Sequence, residues 1–189
     1  MAFEDYQQKK SVVVVYTGNS KGKTSASIGL MCRALGHDWR VAYIQFIKEW
    51  PAGEHHFIEK ITPLFADSLT FFKGGKGFYN AGELSPAATT DEDHRQAAQD
   101  TYTFALNCAT SGDYDLVICD ELNNAVADGL LSSDDLKELL MNHAPTTSLC
   151  ITGRHFPPAL LEYVDIATSM GKIKHHFDDK FLANEGIDF

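Results

Sequence analysis

No apolar run in this sequence approaches the ~20 residues of a membrane-spanning helix, so a membrane protein of the helical kind is not expected. Positive charge is scarce: 16 Lys and Arg face 26 Asp and Glu, the net charge is −10, and no basic block offsets it. A polyanionic partner such as nucleic acid is therefore not expected, although a nucleotide site, being local, is still possible. Cysteine pairs are missing as well. Cys32, Cys108, Cys119 and Cys150 are widely spaced with no C-x-x-C, and they read as buried thiols in a reducing compartment. Internal repeats, low-complexity tracts and linkers are absent, so residues 1–189 read as one domain with 1–10 as a flexible N-terminal arm. Met1 to Lys10 is polar and lacks the apolar core of a signal peptide, and the expected location is cytoplasmic. What remains is globular composition, 44% hydrophobic and 22% charged, in a chain long enough for a real core.

The chain is organised around Thr17-Gly18-Asn19-Ser20-Lys21-Gly22-Lys23-Thr24, which follows the β-branched run Val12 to Val15 and opens a helical segment. Strand, glycine loop, Gly-Lys-Thr and helix is the context of a phosphate-binding loop. Glycines let the backbone wrap oxygens, and the amides with the helix start point at the anion. Lys23 adds charge for the terminal phosphates, and the Thr24 hydroxyl can reach Mg²⁺. The general pattern G-x-x-x-x-G-K-[ST] wants glycine where Thr17 stands, so the loop counted from Gly18 is one residue short.

Strands are expected over 12–16, 40–46, 69–73, 114–119, 146–152 and 165–170, and helices over 23–35, 54–60, 91–110, 121–128 and 134–142. Alternation of strands and helices predicts an α/β fold, one parallel sheet with helices on both faces. Lys48 and Trp50 crowd the carboxyl end of the second strand, where α/β sheets bind ligands; a surface lysine beside a half-buried tryptophan is the competing explanation. Four glycines between 74 and 82, with Phe78 and Tyr79, mark a long mobile loop that closes over a flat apolar ligand or is a floppy connection with Phe78 in the core.

The apolar strand Leu116 to Cys119 ends in Asp120-Glu121. Paired with Gly22-Lys23-Thr24, these carboxylates read as holding Mg²⁺ beside Thr24, directly or through water. The residues alone leave open a hydrolase, a kinase or another transferase. The adjacent histidines His55-His56 and His175-His176 point apart and lack a Cys or acid at ligand spacing, which speaks against zinc.

From about residue 12 onward the chain resembles the ATP:corrinoid adenosyltransferases of cobalamin biosynthesis and salvage. The resemblance rests on residues 17–24, Gln45-Phe46-Ile47-Lys48, Asp120-Glu121-Leu122-Asn123 with Leu130-Leu131, Thr152-Gly153-Arg154, and Lys174-His175 through Phe177-Asp178 to Gly186-Ile187-Asp188. The short loop is that family's own pattern. The resemblance implies a P-loop, RecA-like (Rossmann-like) three-layer sandwich with a mostly parallel sheet of about six strands. It implies transfer of the 5′-deoxyadenosyl group of ATP to the Co(I) of a corrinoid, releasing triphosphate. Gly18, Asn19, Ser20, Lys21, Gly22, Lys23, Thr24 and Arg154 would bind ATP. Lys23, Thr24 and Glu121 would carry the chemistry. Thr24 and Glu121, with Asp120 in support, would hold Mg²⁺ (or Mn²⁺). Phe78, Lys48, Trp50 and Asn123 would face the corrinoid. A flavoprotein reductant and a homodimer are further implications.

The chain departs from that family at Asn80, where some members carry tryptophan, and at Ser20, where glycine is usual. Thr168-Ser169-Met170-Gly171 replaces a stretch that usually holds Glu and often Arg, which implies a lost contact. The N-terminal arm is short, which implies a more open site. A P-loop NTPase or kinase of another pathway, and a non-catalytic ATP- or corrinoid-binding module, are the alternative readings.

Overall fold

The computed structural model describes residues 5–77, 79 and 89–189. Six strands form one sheet: β1 (Val13–Thr17), β2 (Val41–Gln45), β3 (Leu69–Lys73), β4 (Leu116–Asp120), β5 (Ser148–Thr152) and β6 (Ile166–Ser169). Every pairing is parallel, in the order β3-β2-β4-β5-β1-β6. The helices are α1 (Lys23–Leu35), α2 (Gly53–Ile61), α3 (Asp91–Ser111), α4 (Leu122–Ala127) and α5 (Ser133–Asn142).

The apolar strands alternate into two cores, as central parallel strands must when both faces are covered. Val41, Tyr43, Leu116, Ile118 and Cys150 pack with Met31, Ala34 and Leu35 of α1 and Ile58 of α2. Val13, Val15, Ala42, Ile44, Val117, Cys119, Leu149 and Ile151 face α3, α4 and α5, meeting Ala98, Tyr102, Ala105, Leu136 and Leu139. This is the expected three-layer α/β sandwich. Thr90 and Ser132 cap α3 and α5 by accepting from the Asp93 and Asp135 amides, which satisfies donors left open at each helix start.

Element ends differ from expectation where the local chemistry dictates it. Residues 144–147 form a turn around Pro145, closed by the Thr147 amide on the Ala144 carbonyl, so β5 starts only at Ser148. The fourth strand begins at Leu116 rather than Tyr114 and includes Asp120. The Tyr114 hydroxyl instead lies 3.0 Å from Thr70 Oγ1. Three cysteines are buried, but Cys32 is exposed because it falls on the outer side of α1. The start of the glycine-rich segment is pinned rather than loose: the Gly74 and Gly77 amides donate to the Gln45 and Ile47 carbonyls. Phe78, Asn80 and residues 81–88 lie outside the described residues. Lys9 in the N-terminal arm pairs with Asp165. Among the described residues no helix is long and apolar enough to cross a membrane.

A Cβ on Gly75 would lie 2.3 Å from the Ile47 carbonyl, whereas one on Gly29 of α1 would meet nothing within 4 Å. Gly75→Ala is therefore expected to lower the midpoint of urea unfolding by about 1–3 kcal/mol equivalent. Gly29→Ala should raise it by about 0.5–1 kcal/mol, since alanine restricts the unfolded chain and favours helix.

Candidate active site

The segment between β1 and α1 turns on two glycines in the left-handed region, Gly18 (φ 100°) and Gly22 (φ 105°). A Cβ at Gly18 would come within 2.5 Å of the Met170 carbonyl oxygen, so the end of β6 packs directly on the loop. The Ser20 amide donates to Met170 O at 3.2 Å, and the Met170 amide donates to Thr17 O at 2.8 Å. The stretch around Met170, expected to have lost a contact, thus braces the loop through its backbone. Ser20 is not among the residues with positive φ, so a side chain is accommodated there without strain.

Lys23 Nζ folds back on the loop, donating to Gly18 O (2.9 Å) and Ser20 O (2.6 Å). Burial lowers its pKa, with Arg154 adding to the effect and Glu121 and Asp120 opposing it. A phosphate placed in the loop would supply the negative charge that this ammonium otherwise borrows from two carbonyls. Lys21, on the lip of the loop, pairs with Asp188 of the C-terminal segment at 3.4 Å.

Asp120 lies at the carboxyl end of β4, wholly buried. A buried carboxylate demands donors, and four converge on it. Thr152 Oγ1 donates to Oδ1 at 2.7 Å, Gln45 Nε2 to Oδ2 at 3.0 Å, Thr24 Oγ1 to Oδ2 at 3.3 Å, and Ser27 Oγ to Oδ1 at 3.5 Å. Thr24, in the first turn of α1, is thereby brought to Asp120, although β5 lies between β4 and the β1 strand that leads into the loop. Glu121 follows in the left-handed region at φ 64°, held by its amide donating to Thr152 Oγ1 at 2.9 Å. Non-glycine residues in that region carry strain and mark constrained sites. Its Oε2 is buried without a hydrogen-bond partner. Burial, then the Asp120 charge, raises its pKa to about 7, against the opposing pull of Lys48 and Lys23.

Lys48 lies beside this pair and is bound to Glu54 Oε1 at 2.5 Å. Burial pushes its pKa down, but the Glu121, Glu54 and Asp120 charges together push it up further. Trp50 is half-buried nearby in sequence. The Arg154 side chain is exposed, and its amide donates to Asn124 Oδ1 at 2.7 Å. Asn123 is wholly buried; its side-chain amide donates to Gly153 O at 3.4 Å, and its Oδ1 is buried with no hydrogen-bond partner. It joins α4 to the end of β5. Gly153 allows that packing, since its Cβ would fall 2.8 Å from Asn123 Cβ.

Thr152, Gln45, Glu54 and Asp188 were not singled out for roles from the sequence. Thr152 and Gln45 stand at the carboxyl ends of their strands, and with Asp188 they fall in the motifs that carry the family resemblance; these are the signals that could have found them. Glu54 carries no such mark, because its partner Lys48 is brought to it by the fold.

A phosphate loop, a threonine hydroxyl and a strained, unpartnered acid fit a divalent cation bound with a triphosphate. The raised carboxyl of Glu121 favours the folded state while it is protonated, below its ordinary 4.5, and that advantage is lost as pH rises through about 7. Metal-free Glu121→Gln should therefore melt several degrees higher than the wild type at about pH 8 and at nearly the same temperature at about pH 5. Equal differences at both pH values, read by differential scanning calorimetry in EDTA, would contradict this picture of the buried acid.

The chain matches the family model for ATP:corrinoid adenosyltransferase BtuR/CobO/CobP over residues 9–189. It is 30% identical to a corrinoid adenosyltransferase of Pseudomonas aeruginosa over 188 residues, covering 97% of this chain and 86% of that protein. It is 30% identical to the corrinoid adenosyltransferase of Escherichia coli K12, with 97% and 88% coverage. The corrinoid adenosyltransferase CobA of Salmonella typhimurium is also 30% identical, with the same coverage. Among solved structures, the flagellar accessory protein FlaH of Methanocaldococcus jannaschii shares the fold at a TM-score of 0.51 and 12% identity, covering 85% of this chain and 71% of that one. Phosphate loop, facing carboxylates and full-length similarity agree, and the chain belongs to the ATP:corrinoid adenosyltransferase family.

Proposed function

We propose that this protein transfers the 5′-deoxyadenosyl group of ATP to the Co(I) centre of a corrinoid, with triphosphate as the leaving group. The observation that carries the reading is the unpartnered Glu121 Oε2 beside the Thr24–Asp120 contact, at the mouth of a phosphate loop, in a chain of this family. Co(I) of the reduced corrinoid supplies the electron pair that forms the Co–C5′ bond. The C5′–O bond breaks, its electron pair leaves on triphosphate, and cobalt ends formally as Co(III). The nucleophile comes with the substrate, so neither a protein nucleophile nor a general base is required.

The work of the protein is placement and charge. Residues Gly18 to Thr24 hold the triphosphate through backbone amides, and Lys23 moves from the loop carbonyls to the leaving phosphate oxygens. Thr24 and Glu121, with Asp120 in support, hold Mg²⁺ (or Mn²⁺), which when bound neutralises charge on the triphosphate. Arg154 adds positive charge on the nucleotide side. Lys48, Trp50, Phe78 and Asn123 are assigned to the corrinoid side. A flavoprotein reductant that delivers Co(I), a homodimeric assembly and a cytoplasmic location complete the proposal.

The test is an anaerobic mixture of protein, chemically reduced cob(I)alamin, Mg²⁺ and ATP, followed by absorbance. A light-sensitive Co–C product with intact triphosphate supports the reading; phosphate release without corrinoid points to an NTPase instead. Lys23→Ala should lower kcat by ~10²-fold or more, because it removes a charge needed chiefly as the leaving group departs. Phe78 is further assigned to displacing the cobalt's lower ligand, which makes Co(II) easier to reduce; Phe78→Ala should therefore slow reactions begun from Co(II) more than those supplied with Co(I), and equal losses would remove that role.

A further inference from the structure

The first turn of α2 is linked to the phosphate site by a chain of hydrogen bonds whose polarity is determined at every step. His55 is 3% exposed, with its ring tilted against Phe71 at 6.0 Å between centroids. Its Nδ1 accepts from the Ala52 amide at 3.0 Å, so that nitrogen carries no proton. The proton of the neutral ring is on Nε2, which donates to Gln45 Oε1 at 2.5 Å. This contact orients the Gln45 amide. With Oε1 turned to His55, Nε2 must face Asp120 Oδ2, 3.0 Å away. The reverse orientation would set an amide N–H against an imidazole N–H and a carbonyl oxygen against a carboxylate. The same Oδ2 takes the hydrogen of Thr24 Oγ1, which leaves the hydroxyl lone pairs free to turn to a cation.

We infer that His55 is a positioning residue for the cation-binding end of this site, acting through Gln45 and Asp120 on Thr24. The inference rests on the proposed role of Thr24, Asp120 and Glu121 in holding Mg²⁺. The surroundings favour the neutral ring that the relay requires. Burial and the Lys73 charge from β3, with Lys48, hold its pKa down against Glu54 and Glu59. The relay crosses α2, β2, β4 and α1, so it ties the helix that also carries Glu54, the partner of Lys48, to the loop that would hold the triphosphate.

The test is calorimetric titration of ATP into the full-length protein without corrinoid, in Mg²⁺ and separately in EDTA. His55→Leu removes both hydrogen bonds at similar volume. It is expected to reduce the Mg²⁺-dependent gain in ATP affinity about fivefold to tenfold while leaving affinity in EDTA within about twofold. His55→Gln, which keeps a donor toward Gln45, should recover most of that gain. Gln45→Met, which breaks the relay at its next member, should reproduce the selective loss, and the His55→Leu/Gln45→Met pair should lose no more than either alone. An equal loss in Mg²⁺ and EDTA, or an unchanged Mg²⁺-dependent gain in both single variants, would overturn the inference. Wild-type affinity indifferent to Mg²⁺ would remove the cation reading and this inference together, which separates the two failures.

Discussion

The buried carboxylate of Asp120 is the constraint on which the site depends. A charge without solvent must be met by donors, and those donors come from β5 (Thr152), β2 (Gln45) and α1 (Thr24 and Ser27). Each bond brings a different part of the chain to one point at the carboxyl ends of the strands. Thr152 has a double duty, donating its hydroxyl hydrogen to Asp120 and accepting the Glu121 amide. The strained backbone of Glu121 is therefore held by the same network that satisfies its neighbour.

Charge is distributed so that the site can accept a polyanion in a protein of net charge −10. Lys23, Arg154 and Lys21 lie on the phosphate side, and Asp120, Glu121 and Glu54 on the other, with Lys48 set among these acids. The acid side is over-supplied: Glu121 shares a buried space with Asp120 and has no donor for Oε2. In the function proposed above, a cation bound with the nucleotide would relieve that repulsion and screen the triphosphate from the same carboxylates.

Most of the architecture was legible in the residues, because it follows from local periodicity. Four consecutive valines read as a strand buried on both faces; Val13, Val14 and Val15 are buried, with Val13 and Val15 in the core beneath α3 and α5. Gly22-Lys23-Thr24 after that strand fixed the start of α1. The places where reading failed are those where distant contacts outweigh local pattern. Pro145 delays β5, and the exposed Cys32 falls on the outer side of an otherwise well-read helix.

The sequence by itself determined the elements, the parallel α/β class and the two halves of the nucleotide site, since glycine, lysine and acid at strand ends have few other uses in that order. Only the tertiary structure decided strand order, and with it the insertion of β5 between the loop strand and the acid strand. It alone made Thr152 a bridge, Met170 a brace for Gly18, Glu54 the partner of Lys48, and His55 the origin of a relay. The reason is physical. Periodicity is a property of neighbours along the chain, whereas burying a charge is a property of whatever the fold brings around it.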